Sequence, residues 1–352
     1  MTRLVPSRYR LSKHFLLSDF MGSSSIYAAG IPNVFDKKSG HDDRLAHGLA
    51  LAEQILEPLL ETYGPVSVSY GFISPGASRA TVTYQDPNKP SYHRWDIGAA
   101  ADVCVHKWLE EQHKSSHFNS PIMLAHYLDN SLGLPYSRMI TYSESPFICL
   151  AANFDEVTAG EPRRAMYENR YEGVKGARPA YTKLVTEAAR KRHFDALLAD
   201  GLPHGWVGAG HPTYHGTRMR QLHHVRVSRY TMLTDWLYDD QNVTEGYRNC
   251  PRLTDPDTLA AFRRVGYVYD QLIDTLGVLR LSITQGYLDP RHEAEGYRCW
   301  TDNGPKQFTF VPPFSDWSGE EVCGIPYYEL EAAIPGVRFD PDAHGICVLI
   351  DE

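Results

Sequence analysis

The sequence predicts an α+β protein built from two related halves in tandem, and three observations carry that expectation. Short period-two runs such as Val66-Ser-Val-Ser-Tyr70 alternate with longer stretches of helical spacing. The 22 tyrosines and 23 prolines suit a loop-rich α+β chain better than a helical bundle. Elements of the first 150 or so residues also recur in the same order after residue 225.

In chain order, Arg10-Leu-Ser-Lys-His-Phe-Leu-Leu-Ser-Asp-Phe20 reads as a short extended piece and a turn capped by Ser18 or Asp19. Asp42 or Asp43 caps a long helix whose apolar stripe is Leu45, Leu49, Ala52, Ile55, Leu56, Leu59 and Tyr63. Pro58 kinks that helix or starts a new turn, and Gly64 ends it. The strand at 66–70 follows, then a long loop over 74–90, a strand at 101–105 and a helix over 120–132. Strands at 139–142 and 147–150 flank Ser143-Glu-Ser-Pro146 and close a first domain, 1–155. Residues 156–222, charged and rich in Gly, Pro and Tyr, read as a connector with a helix over 181–200. Its histidines, His204, His211, His215, His223 and His224, match no standard zinc spacing.

The second domain, 223–352, repeats the first. Arg226 to Trp236 matches Arg10 to Phe20 without a gap, and Gly246-Tyr-Arg-Asn249 lies at the offset of Gly30-Ile-Pro-Asn33. The helix over 259–276 copies 45–63. Ser282-Ile-Thr-Gln-Gly-Tyr-Leu-Asp-Pro290 copies Ser67 to Pro75, and Gly345-Ile-Cys-Val-Leu349 resembles Phe147-Ile-Cys-Leu150. Chance does not keep this order over five elements, so the expectation is a diverged tandem duplication.

A net charge of −8 argues against nucleic-acid and anionic-membrane binding. No apolar run approaches the roughly 18 residues of a membrane span, and the N-terminus lacks a signal-peptide core. The expectation is a product made in the cytoplasm, without membrane insertion. The six cysteines are scattered, with no Cys-x-x-Cys pair, and read as reduced thiols.

The stretch Ser91-Tyr-His-Arg-Trp-Asp-Ile-Gly-Ala-Ala-Ala-Asp102 concentrates the chemistry. His93 and Asp102 are zinc-ligand types, and the small residues between them let backbones approach closely. A buried strand with a satisfied histidine is the plainer reading of the same residues. Leu-Ser-x-His-Phe-x-Leu-Ser-Asp-Phe, the helix with Glu57-Pro58, a Ser-x-Gly-aromatic strand end and Gly98-x-Ala100-x-Asp102 together resemble the zinc D-Ala-D-Ala carboxypeptidases of the Hedgehog/DD-peptidase fold, in the form common in phage endolysins. The resemblance covers residues 8–152 or so; the second half resembles the family mainly through the first.

The resemblance implies, for each half, a small mixed or antiparallel sheet with helices on one side, and a zinc on the sheet's concave face. The family pattern is Ser-x-His-x-x-Gly-x-Ala-x-Asp followed by Glu-x-x-Trp-x-His. Aligned on Gly98, Ala100 and Asp102, the ligand histidine's place is Trp95, and His93 lies two residues upstream. In a regular strand His93 would face the same side but sit about 6 to 7 Å away; a bulge recovers the site. In Glu144-Ser-Pro-Phe-Ile-Cys149, Glu144 stands at the base position and Cys149 at the second histidine's. The implied zinc ligands are thus His93, Asp102 and Cys149, with Glu144 as base. Arg79 is the candidate for gripping a substrate carboxylate, because Ile73 fills the family arginine's place.

The second half has no zinc motif, yet keeps Cys347 at the place of Cys149, which reads as a small buried strand residue. The functional expectation is therefore a catalytically degenerate, DD-peptidase-like structural or binding component of a bacteriophage virion, contacting other virion proteins or itself. The alternative is a zinc peptidase acting on bacterial peptidoglycan peptides through the first half alone.

Overall fold

The computed structural model describes residues 3–37, 43–81, 90–106, 121–130, 132–142, 147–170, 180–184, 225–247, 249, 251, 256–287, 307–313, 320–342 and 345–351. Helices and sheets are mixed along the chain, an α+β architecture. No described helix is long and apolar enough to cross a membrane.

The first half is organised on a six-stranded sheet. Its strands are β1 (Val66–Tyr70), β2 (Ala99–Val105), β3 (Arg138–Tyr142), β4 (Ile148–Ala152), β5 (Ala165–Arg170) and β6 (Ala180–Leu184), in the spatial order β1-β2-β4-β3-β5-β6. All pairs are antiparallel except β3–β5, so the sheet is mixed. The second half has β7 (Ser282–Gln285), β8 (Gln307–Val311), β9 (Val337–Asp342) and β10 (Gly345–Ile350), ordered β7-β8-β10-β9 and antiparallel throughout. This order repeats that of β1-β2-β4-β3.

Alternation along β2 sorts its side chains onto two faces. Ala99, Ala101, Val103 and Val105 join the main core with Leu51, Ile55 and Leu59 of the long helix. Ala100 points to the opposite face, in a small cluster with Ile140, Cys149 and Ala151. The long helix runs as α1 (Arg44–Leu51), a wide π turn over Ala52–Leu56, and α2 (Glu57–Tyr63) with Pro58 in its first turn. Proline lacks the N–H that a helix interior needs, and the π turn together with a fresh helix start absorbs that lack. Gly64, at φ 79°, ends the helix as expected. Asp43 sits at the N-cap without a side-chain capping bond.

Several expectations need correction. The connector does not begin at residue 156, because β5 and β6 extend the first sheet to residue 184. Residues 181–184 are strand rather than the start of a helix: Tyr181 pairs with Asn169 and Leu184 with Met166. Cross-strand pairing overrides the local helical spacing there. The rest of that helix, and the histidines from His204 to His224, lie outside the described residues. The loop after residue 74 opens with α3 (Pro75–Thr81), whose first turn Ser74 caps through its hydroxyl (Ala77 N to Ser74 Oγ, 3.2 Å).

The halves interlock. Ser18–Met21 packs on β7, and Leu233–Trp236 packs on β1. The Asn33 N–H donates to the Val243 carbonyl (2.8 Å), and the Asn249 N–H donates to the Tyr27 carbonyl (2.9 Å). Each asparagine side chain also closes its own half: Asn33 donates to the Met21 and Phe72 carbonyls, Asn249 to those of Leu237 and Tyr287. One hydrophobic core runs from Leu11 to Val348 through both halves.

Candidate metal centre

The Asp102 and Cys149 positions follow directly from strand register. They are Cα partners across β2 and β4, so their side chains emerge together on the face away from the helices. His93 arrives by a different route. Residues 92–95 form a tight turn closed by the Trp95 N–H on the Tyr92 carbonyl (3.1 Å), with Trp95 at φ 60°. The turn drives the Trp95 indole into the core against Phe20, Phe35 and Phe72. A side chain at φ near +60° is strained for a non-glycine residue, and burial of the indole holds it there. Gly98, at φ 137°, completes the approach: a Cβ there would lie 2.7 Å from the Ala152 carbonyl oxygen and 2.6 Å from the Tyr92 ring. The irregularity that His93 needed is thus a turn rather than a bulge.

His93 is fixed at both ends. Its carbonyl accepts from the Ile73 N–H (2.7 Å), and its ring packs edge-on against Tyr70. Nδ1 lies 2.9 Å from the Gly71 carbonyl. A carbonyl only accepts, so Nδ1 carries the proton and the Nε2 lone pair points away. It faces the Asp102 carboxylate at 4.0 Å and Cys149 Sγ at 3.8 Å. The three donor atoms all lie within 4.8 Å of one another, and this is the one such group of three or more among the described residues. Zinc bonds of about 2.0 to 2.3 Å in tetrahedral array would set ligand atoms about 3.4 to 3.6 Å apart, so the three donor atoms would draw closer together around an ion.

Electrostatics suit a neutral imidazole. Burial holds His93 below its ordinary range, opposed by the Asp102 charge, and neutral imidazole is the ligating form. Burial, reinforced by Asp102, pushes the Cys149 thiol up. A metal cation in contact with the sulfur is the influence that reverses this. The Asp102 and His93 side chains keep 20% and 13% of their surface exposed, so the group is reachable from solvent on one side, whereas Cys149 is buried.

Two further residues were predicted. Arg79 is exposed in the last turn of α3. Glu144 lies outside the described residues. Arg138 is the neighbour that sequence reasoning missed: it hydrogen-bonds Cys149 and stacks over the Tyr92 ring at 4.7 Å. Once Cys149 is paired with Ile140, alternation along β3 puts Arg138 on the same face, and that was the available signal.

In the second half the corresponding strands carry no such group. Cys347 pairs with Thr309 where Cys149 pairs with Asp102, and with Asp340 where Cys149 pairs with Ile140. No family profile, curated protein or solved structure matches the chain.

Proposed function

We propose that this chain is a zinc-binding, DD-peptidase-like protein, derived by tandem duplication, whose first half carries the metal and whose second half braces it. The observation that carries this reading is the convergence of His93 Nε2, Asp102 and Cys149 Sγ, with His93 Nδ1 anchored on Gly71. Such an anchored second nitrogen is the usual orienting device of a metal-binding histidine. Three protein ligands leave one coordination position open, the pattern of catalytic rather than structural zinc. Zinc there supplies a Lewis acid able to polarise a peptide carbonyl and acidify water. The chain's own residues orient the imidazole, exclude water from the buried sulfur side and leave the Asp102 side accessible. Glu144 is the proposed base and bacterial cell-wall peptides the proposed substrate; both rest on the family resemblance.

A second reading is a non-catalytic virion component. The specific observation in its favour is the second half, where the same strand order stands with no metal group among the described residues. Elemental analysis of protein purified without chelators, on wild type and His93→Ala, tests the proposal. About one zinc per chain, lost in the variant, is the expected result; metal-free wild type overturns it. Release of D-Ala from muropeptides then separates the readings, because a zinc-loaded chain that releases none is a scaffold.

A further inference from the structure

Where the halves meet, a cavity is lined by Ser18, Ser67, Tyr230, Thr234, Asp235 and Leu281, among others. It offers about 30 Å³ to the centres of water-sized spheres, where roughly 10 to 15 Å³ suffices for one water. Two hydroxyls at corresponding positions of the halves, Ser18 Oγ and Thr234 Oγ1, are buried without a hydrogen-bond partner among the described residues, at 1% and 4% exposure. Buried hydroxyls are nearly always satisfied, so this pair points to a polar occupant.

The chemistry of that occupant follows from an asymmetry between two corresponding carboxylates. Asp19 and Asp235 hold the same place in their halves, and each accepts a serine hydroxyl from the other half: Asp19 from Ser282 at 2.8 Å, Asp235 from Ser67. Asp19 also has a cation. The Arg280 guanidinium reaches it at 2.8 Å and donates further to the His14 and Val66 carbonyls and to Ser282 Oγ. In the other half, Arg280's place is taken by Pro65. The positions matching its four acceptors are Asp235, Tyr230, Leu281 and Ser67, and all four line the cavity. The imidazole beside Ser67, His106 at 2.7 Å, is kept neutral by burial and supplies no charge. Burial holds the Asp235 carboxyl up to about 6; Arg280, which also lines the cavity, pulls it the other way, so one guanidinium serves two buried carboxylates, Asp19 and Asp235, and the compensation is incomplete.

We infer that this cavity binds a small monocation bearing N–H donors, of the guanidinium or ammonium class, which completes at Asp235 the pairing that Arg280 makes at Asp19. The donors of such an ion suit the Asp235 carboxylate and the Ser18 and Thr234 hydroxyls, and its charge offsets the second of the two buried anions.

Thermal unfolding of the full chain tests this, with millimolar guanidinium, ammonium, potassium and sodium chlorides compared at fixed ionic strength. The expected result is a saturable rise in Tm of about 2 to 4 °C with guanidinium or ammonium, none with sodium or potassium, and loss of the effect in Asp235→Asn. Pro65→Arg places a covalent guanidinium in the cavity and should abolish the response while raising the basal Tm; it serves where Asp235→Asn does not fold. An equal response to all four salts, no response, or a response retained in Asp235→Asn overturns the inference. A rise specific to potassium or sodium also overturns it, because a bare metal ion would then be the occupant.

Discussion

At Asp235 a carboxylate is held in the interior by Ser67 and the Met232 N–H, and its titration gives the clearest pH signature of the chain. Burial raises it to about 6, so the folded protein binds that proton more tightly than the unfolded chain does. The contribution to stability is complete below the usual carboxylate range near pH 4 and is lost as pH rises through about 6, by roughly 3 kcal/mol. Urea unfolding at acid and neutral pH should show that loss in wild type relative to Asp235→Asn; parallel pH dependences would refute it. The residue scale is also where the sequence was most and least informative. Ligand chemistry and the family pattern named His93, Asp102 and Cys149, which the fold brings together. The tautomer-fixing Gly71 carbonyl and the stacked Arg138 could not be read, since both depend on which backbone lies beside which. Arg79 was chosen by proximity in sequence, and the helix at Pro75–Thr81 leaves it exposed.

The turn before β2 brings His93 to Asp102 and Cys149. Gly98→Ala forces a Cβ against the Ala152 carbonyl and the Tyr92 ring at a φ of 137°. Loss of about 1 to 3 kcal/mol is expected, and, under the proposed zinc reading, reduced zinc retention as His93 is displaced. A variant as stable and as metal-loaded as wild type would show that the turn does not set the site. β1 was legible from its period-two sequence, and β4 as a short apolar run buried at every position. β5 was not: of its described side chains only Met166 is fully buried, so Ala-Met-Tyr-Glu-Asn-Arg carries no clear apolar face. Its place in the sheet comes from parallel pairing with β3, a long-range contact that no local pattern announces.

At the scale of the whole molecule, the mixed α+β class was legible in the sequence but the interlock was not, since order along a chain says nothing of how its two parts face each other. A continuous core and reciprocal backbone bonds predict cooperative unfolding. Calorimetry of the full chain should give one transition, and two resolved transitions would mean that the halves are independent. Asn33→Ala should lower stability by about 2 to 4 kcal/mol by stranding the buried Met21 and Phe72 carbonyls. A change within experimental error would show that water replaces the amide.

The bond between Arg280 and Asp19 joins residues 261 apart in sequence. During synthesis at about 5 to 20 residues per second, Asp19 leaves the ribosome tens of seconds before its guanidinium partner does. In the nascent chain the Asp19 carboxylate therefore awaits its guanidinium partner while 261 further residues are added.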